Sequence, residues 1–183
     1  PELVIVVGDR YEIFGAAVAA TLLNIPIAHI HGGEITLGAI DDVFRHSITK
    51  MASVHFTATK KYRERVIQMG EDPANVFLVG APALEYIQTC SFMPRALVEE
   101  EVGLKLGSKS VMITYHPETR QPGENLQNLD SVLRALDLFP DAQLIFTGSN
   151  ADENGRIFNK VIADYVDKNK RRAVFHKSLG QDL

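Results

Sequence analysis

The first half of the sequence contains short segments in which acidic, basic and imidazole side chains are spaced for acid–base chemistry. In Gly8-Asp9-Arg10, an acid and an arginine directly follow an apolar run. Glycine permits a tight turn, so Asp9 is expected at a strand end as a catalytic carboxylate. Arg10 would contact a phosphate, whose geometry a guanidinium matches. The plainer interpretation, equally consistent with this tripeptide, is that Asp9 caps the next helix and Arg10 lies on the surface.

A second segment, running from His29 to Glu34, carries histidines two positions apart, then Gly32-Gly33 and an acid. Side chains alternate along a strand, so His29 and His31 are expected on one face. Two such histidines and Glu34 are a plausible ligand set for zinc or manganese. In the other functional interpretation, His31 or Glu34 transfers protons. For His29 alone, a core histidine bonded to the backbone is favoured.

The third segment, Asp41-Asp42-Val43-Phe44-Arg45-His46, begins a predicted helix. Asp41 suits the N-cap position, and its charge suits the positive end of the helix. The four-residue spacing puts Arg45 near Asp41 and His46 near Asp42. A capped helix with one surface ion pair would explain part of this pattern. The whole cluster exceeds what capping requires, which favours a functional site.

In the second half, polar residues again follow apolar runs. His116 precedes a proline that restricts it to an extended conformation, so it would bind a phosphate or protonate a leaving group. Asn150 lies between an apolar run and a predicted helix, whose backbone N–H groups could receive a phosphate or a nucleobase. The plainer interpretations are a turn histidine and an N-cap.

The elements that must position these residues alternate between apolar runs and helical patterns. This alternation, with continuous rather than alternating apolar strands, predicts parallel sheets covered by helices on both faces. Ligands in such sheets bind beyond the carboxyl ends of the strands. The predicted strands are 3–7, 26–31, 54–57, 76–79, 110–114, 142–147 and 172–176. The predicted helices are 12–23, 41–51, 60–69, 82–102 with an interruption at Pro94, 124–138 and 153–168.

The alternation of predicted strands and helices is interrupted after Gly80 and resumes after Gly107-Ser108-Lys109-Ser110. We therefore predict two Rossmann-like α/β domains, residues 1–106 and 107–183, each incomplete. The chain opens without a methionine on an apolar run, 3–7, that reads as a strand buried on both faces. This opening indicates a piece of a longer protein.

Composition narrows the class of protein. The formal net charge of the 183 residues is −4, which argues against a general nucleic-acid-binding surface. The single cysteine, Cys90, rules out a disulfide framework within the chain. No apolar run is long enough to cross a bilayer. We therefore expect neither a nucleic-acid partner nor a membrane partner.

Together these motifs resemble the hydrolysing UDP-N-acetylglucosamine 2-epimerases, the bacterial sialic-acid-pathway enzymes and the epimerase half of the animal bifunctional enzyme. The resemblance is most specific between Gly8 and Lys50 and weaker in the second half. Its segments are Gly8-Asp9-Arg10-Tyr11-Glu12, Asn24-Ile25-Pro26, His29-Ile30-His31-Gly32-Gly33-Glu34, 41–50, Val79-Gly80, His116-Pro117 and Asn150-Ala151-Asp152.

The resemblance implies a GT-B-like fold, in which two Rossmann-like domains hold the nucleotide sugar between them. It implies conversion of UDP-N-acetylglucosamine and water to N-acetylmannosamine and UDP, in sialic acid biosynthesis, without a cofactor or a metal. It also implies a cytoplasmic homo-oligomer, a dimer or a tetramer. Residues 1–183 alone would then have no useful activity, because parts of both family domains are absent.

The resemblance also suggests roles for individual residues. Asp9 and Asp41 would be the main acid/base groups, with Glu34 or His31 as a further participant. Animal members have a glutamate, implicated in catalysis, at the position of His31. The residues expected to bind the substrate are Arg10, Arg45, His46, His116 and Asn150.

Other functions remain open at this point. Relatives in legionaminic acid synthesis hydrolyse a UDP-2,4-diacetamido-trideoxyhexose, and the sequence does not distinguish this sugar. A metal-dependent hydrolase could use His29, His31, Glu34 and Asp41 as ligands, which would leave Asp9 and Arg10 without a role. A non-catalytic module that binds nucleotide sugars would not need this many carboxylates beside a diphosphate.

Overall fold

The computed structural model describes residues 1–118, 123–149 and 155–180. The chain forms two compact units, of which the first is Pro1–Cys90 and the second begins at Ser91. Each contains one parallel sheet connected through helices, as the alternating sequence pattern predicts. Within the described ranges, no helix is both long and apolar enough to cross a membrane.

The first unit follows a regular strand–helix alternation. Its four strands are parallel and lie in chain order across the sheet, β1-β2-β3-β4. All four predicted strands of this half are confirmed, with small differences at their ends. The elements are β1 Val4–Val7, α1 Tyr11–Leu22, β2 Ile27–Ile30, α2 Asp41–Met51, β3 Val54–Thr57, α3 Lys60–Gln68, a 3-10 turn Pro73–Asn75, β4 Val76–Leu78 and α4 Pro82–Thr89.

The core of the first unit joins β1 and β2 to helices α1 and α2. Ala17 and Ala20 of α1 are buried with Ile27 of β2 and Ile48 of α2. Small alanine side chains let α1 approach the sheet closely. This packing fixes the starts of both helices relative to the strand ends that precede them, and those strand ends carry the predicted site.

The expectation that the first strand is buried on both faces is wrong for this chain. In β1, Val6 is only 5% exposed, but Ile5 and Val7 are 62% and 52% exposed. The face that carries Val6 packs against the apolar cluster formed with α1 and α2. An apolar run therefore predicts a strand here without predicting how many faces are covered.

The second unit carries a three-stranded parallel sheet in the order β5-β6-β7. Its main core lies between the central strand β6 and the helices α6 and α7, where Phe146, Leu129 and Phe158 are fully buried. The elements are α5 Arg95–Val102, β5 Ser110–Thr114, α6 Asn125–Asp137, β6 Gln143–Thr147, α7 Gly155–Lys168 and β7 Ala173–His176.

The compact units divide earlier in the chain than the predicted boundary between residues 106 and 107. The predicted interruption at Pro94 is present, and the helical segment after it, α5, packs in the second unit. In the second unit, Val102 and Leu104 form an apolar cluster with Ile145 of β6. The Nε2 atom of His176, on β7, lies 2.9 Å from the carbonyl oxygen of Val102. These contacts attach residues 91–106 to the second sheet.

Candidate active site

The turn after β1 directs Asp9 towards helix α2. Gly8 has a φ of +84°, which favours glycine, and its N–H donates to the carbonyl oxygen of Ile30 on β2. The N-cap of α1 is Arg10, so the interpretation of Asp9 as the helix cap is wrong. The Asp9 carboxylate instead accepts a hydrogen bond from the guanidinium of Arg45.

Arg45 is the centre of a small ionic network on α2. Its side chain is only 5% exposed and donates to Asp9, to Asp42 Oδ1 at 3.0 Å and to Thr36 Oγ1 at 2.9 Å. The N–H of Thr36 also donates to Asp42 Oδ1, at 3.0 Å. One buried guanidinium thus ties the turn after β1 to α2 and to the loop that precedes it.

Two details of α2 differ from the sequence prediction. Ile40, whose side chain makes no capping hydrogen bond, is the N-cap residue, and Asp41 is the first residue of the helix, so the prediction of Asp41 as N-cap is wrong. The ion pair that Arg45 makes on its own helix is with Asp42, three residues away. The charge of Asp41 still lies in the first turn, where the helix dipole favours an acid.

His31 and Glu34 form a hydrogen-bonded pair at the carboxyl end of β2. The His31 Nδ1 atom lies 2.8 Å from Glu34 Oε1, and about a quarter of each side chain is exposed. His31 has a φ of +69°, an uncommon conformation for a residue with a Cβ. Because β2 ends at Ile30, His31 lies in a turn and does not continue the strand of His29, so the prediction that both histidines stand on one strand face is wrong.

His29 is a core histidine whose two ring nitrogens both have partners. It is fully buried, with Nε2 2.8 Å from the carbonyl oxygen of Gly8 and Nδ1 3.1 Å from Thr49 Oγ1. Burial lowers the pKa of His29 to about 4, although the hydrogen bond to Gly8 opposes that shift. The interpretation of His29 as a core residue is confirmed.

The metal-binding alternative loses its first ligand because both nitrogens of His29 are already engaged. Among the residues that the structure describes, no group of three or more His, Cys, Asp or Glu side chains is arranged to hold a metal ion. Of the three remaining candidates, His31 and Glu34 bond to each other.

Helix α3 contacts and supports the Gly32-Gly33 turn. The Arg65 guanidinium donates to the carbonyl oxygen of Gly33, and Gly33 has a φ of +82°. A Cβ at Gly33 would collide with the backbone oxygen of Tyr62. Sequence reasoning missed Arg65 and Thr36 because neither belongs to a recognisable motif. For the ion pair between Asp42 and Arg45, the available signal was their three-residue spacing.

Gly33→Ala should destabilise the protein more than Gly80→Ala does. Both glycines have nearly equal positive φ values, +82° and +84°, but a Cβ at Gly80 would meet nothing within 4 Å. The comparison therefore isolates the collision with Tyr62, for which overpacking costs of about 1–3 kcal/mol are typical. Thermal melting of both variants measures the difference, and equal melting temperatures would show that the turn does not rest on α3.

The residues predicted to bind substrate lie in both units. Arg10 is one-third exposed, near Glu12 at 3.5 Å and over the ring of Tyr11. On α2, His46 has a buried Nδ1 with no hydrogen-bond partner within the described residues. His116 is exposed just after β5, and Asn150 lies outside the described residues. Their roles stay predictions.

The fold and the site together define the class of protein to which the chain belongs. The chain is a Rossmann-like α/β protein whose parallel strands end in an acid–guanidinium network beside a histidine–glutamate pair. The family model for UDP-N-acetylglucosamine 2-epimerase matches residues 1–182. The chain therefore belongs to the UDP-N-acetylglucosamine 2-epimerase family, and the resemblance drawn from the motifs is confirmed.

Individual relatives are similar over nearly the whole chain. The Campylobacter jejuni protein named GDP/UDP-N,N'-diacetylbacillosamine 2-epimerase (hydrolyzing) is 39% identical over 98% of this chain and 47% of its own length. The Escherichia coli polysialic acid biosynthesis protein P7 is 40% identical over 93% of this chain and 44% of its own length. The chain thus spans about half the length of these relatives.

The fold is similar to that of solved family structures. The UDP-GlcNAc 2-epimerase from Neisseria meningitidis, solved bound to UDP-GlcNAc, matches 100% of this chain and 50% of its own with a TM-score of 0.74. At 20% sequence identity this match concerns the fold alone. It confirms the predicted α/β, GT-B-like fold class.

Proposed function

We propose that the full-length protein which contains this chain is a hydrolysing 2-epimerase that acts on a UDP-2-acetamido sugar. A base removes the proton from C2 of the sugar while the C1–O bond to UDP breaks, which gives UDP and a glycal. Water then adds its hydroxyl at C1 and a proton at C2, on the face that gives the manno product. The balance is UDP-sugar plus water to UDP plus the free 2-epimeric sugar.

The observation that supports this proposal best is the pairing of Asp9 with the nearly buried Arg45, at the same sheet edge as the His31–Glu34 pair. The reaction needs groups that remove and deliver protons at different positions. In our proposal Asp9 and Asp41 are the main acid/base groups. A binding module would have no use for a carboxylate held at this edge, next to the expected diphosphate.

His31 and Glu34 together can serve in place of the glutamate that animal members have at position 31. A carboxylate oxygen only accepts, so the proton on the ring lies on Nδ1, the atom that faces Glu34. The neutral ring then has a free electron pair on Nε2, which suits a general base, while Glu34 fixes the ring orientation. We propose His31 as the proton-transferring group of the pair and Glu34 as the residue that orients it.

The remaining predicted residues would bind the nucleotide sugar. Arg10, His46, His116 and Asn150 are proposed to contact the substrate, with Arg10 and His116 offsetting charge on the departing diphosphate. The guanidinium of Arg45 is already committed to two carboxylates. Its geometry therefore favours holding Asp9 in place over binding the diphosphate directly.

Two sugars are candidates, and each has support from the names of relatives. UDP-N-acetylglucosamine, the sugar expected from the motifs, suits a role in sialic acid biosynthesis, and the relative at 40% identity is named for polysialic acid biosynthesis. UDP-N,N'-diacetylbacillosamine is the second candidate because the relative at 39% identity is named for it. A nucleotide-sugar substrate would place the reaction in the cytoplasm, and we propose a homo-oligomer as in the family.

The proposal is tested by following the full-length protein with each UDP-sugar in D2O by NMR. Release of UDP together with the free 2-epimeric sugar, deuterated at C2, is the expected result, and the faster substrate identifies the sugar. A UDP-linked epimer as product would contradict the hydrolysing reaction. Binding of either sugar without UDP release by the folded protein would favour a non-catalytic module.

A further inference from the structure

The buried pair of His29 and Thr49 lies beneath all three segments that carry the proposed acid/base groups. Both residues are fully buried. His29 stands in β2, opposite Val6 of β1 and His55 of β3 in the sheet register, and Thr49 belongs to α2. Neither residue is part of the proposed chemistry, so their partners indicate another role.

The first contact holds the turn that presents Asp9. The carbonyl oxygen of Gly8 only accepts hydrogen bonds, so the His29 Nε2 atom, 2.8 Å away, must carry the proton. This bond fixes the plane of the peptide group between Gly8 and Asp9. The Asp9 side chain begins at the next atom of the backbone, and its carboxylate is held from the other side by Arg45.

The second contact ties the same ring to the helix of Arg45. With the proton on Nε2, the neutral ring has only an acceptor at Nδ1, so the Thr49 hydroxyl, 3.1 Å away, is the donor. That hydroxyl also lies 3.0 Å from the carbonyl oxygen of Arg45. Its single proton is shared between the ring and the first turns of α2.

The Gly32-Gly33 turn, between His31 and Glu34, lies close to the same pair. A Cβ placed on Gly32 would lie 3.1 Å from Thr49 Oγ1 and 3.2 Å from His29 Nδ1. These separations are tighter than ordinary van der Waals contact. The turn therefore leaves no space for a side chain at Gly32 above the hydrogen bond between His29 and Thr49.

We propose that His29 and Thr49 are positioning residues that hold the Asp9 turn, the His31–Glu34 turn and helix α2 in one catalytic arrangement. This inference rests on the proposed function. Misplacement of a reacting group by an ångström can reduce turnover by roughly 100-fold. A positioning role should therefore appear in kcat, while the KM for a substrate that touches neither residue changes little.

Paired variants of the full-length protein test the proposal. His29→Asn places its amide near the Nδ1 position and cannot reach Gly8, whereas His29→Gln reaches the Nε2 position with an N–H donor. Thr49→Val removes the hydroxyl, and Thr49→Ser keeps it. We expect His29→Asn and Thr49→Val to lose roughly 10- to 100-fold in kcat per UDP-binding site, and the Gln and Ser variants to retain most of it.

Hydrogen exchange provides a readout that does not need turnover. In His29→Asn, backbone amides of residues 8–12 and 32–36 should exchange faster than in wild type, while the second unit stays unchanged. The kcat of each variant is divided by its UDP-binding stoichiometry, so a smaller fraction of folded protein does not lower the value that is compared. A general loss of stability would instead raise exchange throughout the first unit in the Asn and Gln variants alike.

The outcomes separate this inference from the proposed function. If wild type releases UDP and the His29→Asn and Thr49→Val variants keep its kcat, the positioning role is overturned and the function stands. If wild type turns over neither sugar, the proposed function fails. The exchange measurement then decides the inference, and unchanged exchange at residues 8–12 and 32–36 would overturn it.

Discussion

Asp9→Asn in the full-length protein is expected to lower turnover by roughly a thousandfold, within the range for removal of a general acid–base group. Asparagine has the size of aspartate, and its side-chain oxygen can still accept the hydrogen bond that Arg45 now donates to the carboxylate. The fold and the binding of UDP should therefore persist. The change removes the ability to accept and deliver a proton at this position.

The measurement is single-turnover release of UDP alongside UDP affinity by calorimetry. Asp130→Asn is the matched control, because Asp130 forms a surface ion pair with Arg134 on α6 and lies in the other unit. The control should have wild-type turnover. Near-normal turnover of Asp9→Asn would remove Asp9 from the mechanism and leave Asp41 or the His31–Glu34 pair to carry the proton transfers.

The sequence predicts the order of elements well because each element has its own local signal. Helix α2 begins and ends where predicted, at Asp41 and Met51, since its acidic start and its amphipathic pattern both lie within the segment. The break at Pro94 is likewise a local effect of proline. The residue types of the candidate site are also readable, because polar residues after apolar runs stand out.

The pairings within the site are not local and could not be predicted. Asp9 and Arg45 are separated by 36 positions, and their contact depends on how β1 pairs with β2 and how α2 packs against them. The contact of Arg65 with Gly33 likewise spans 32 positions. The four-residue spacing on α2 predicted Asp41 as the neighbour of Arg45, whereas the structure pairs Arg45 with Asp42, which also accepts from the N–H of Thr36 in the loop before the helix.

Arg45→Met is expected to destabilise the protein by about 3 kcal/mol, at the lower end of the range for breaking a buried ion pair. Arg45 is nearly buried, and its removal leaves the Asp9 and Asp42 carboxylates, each about one-quarter exposed, without their shared cation. Their partial exposure keeps the cost below that of fully buried charges. The Thr36 hydroxyl also loses a donor.

Denaturant unfolding of Arg45→Met and Arg134→Met measures this prediction against the same chemical change on the surface. Arg134 is 79% exposed, and removal of such a pair typically costs less than about 1 kcal/mol. Arg45→Lys adds a second comparison, because one ammonium cannot reproduce the planar fork that reaches Asp9, Asp42 and Thr36 together. If Arg45→Met and Arg134→Met unfold at the same denaturant concentration, the network at Arg45 contributes nothing to stability. A weaker affinity for UDP in that stable variant would then assign Arg45 to the substrate itself, as the sequence first suggested.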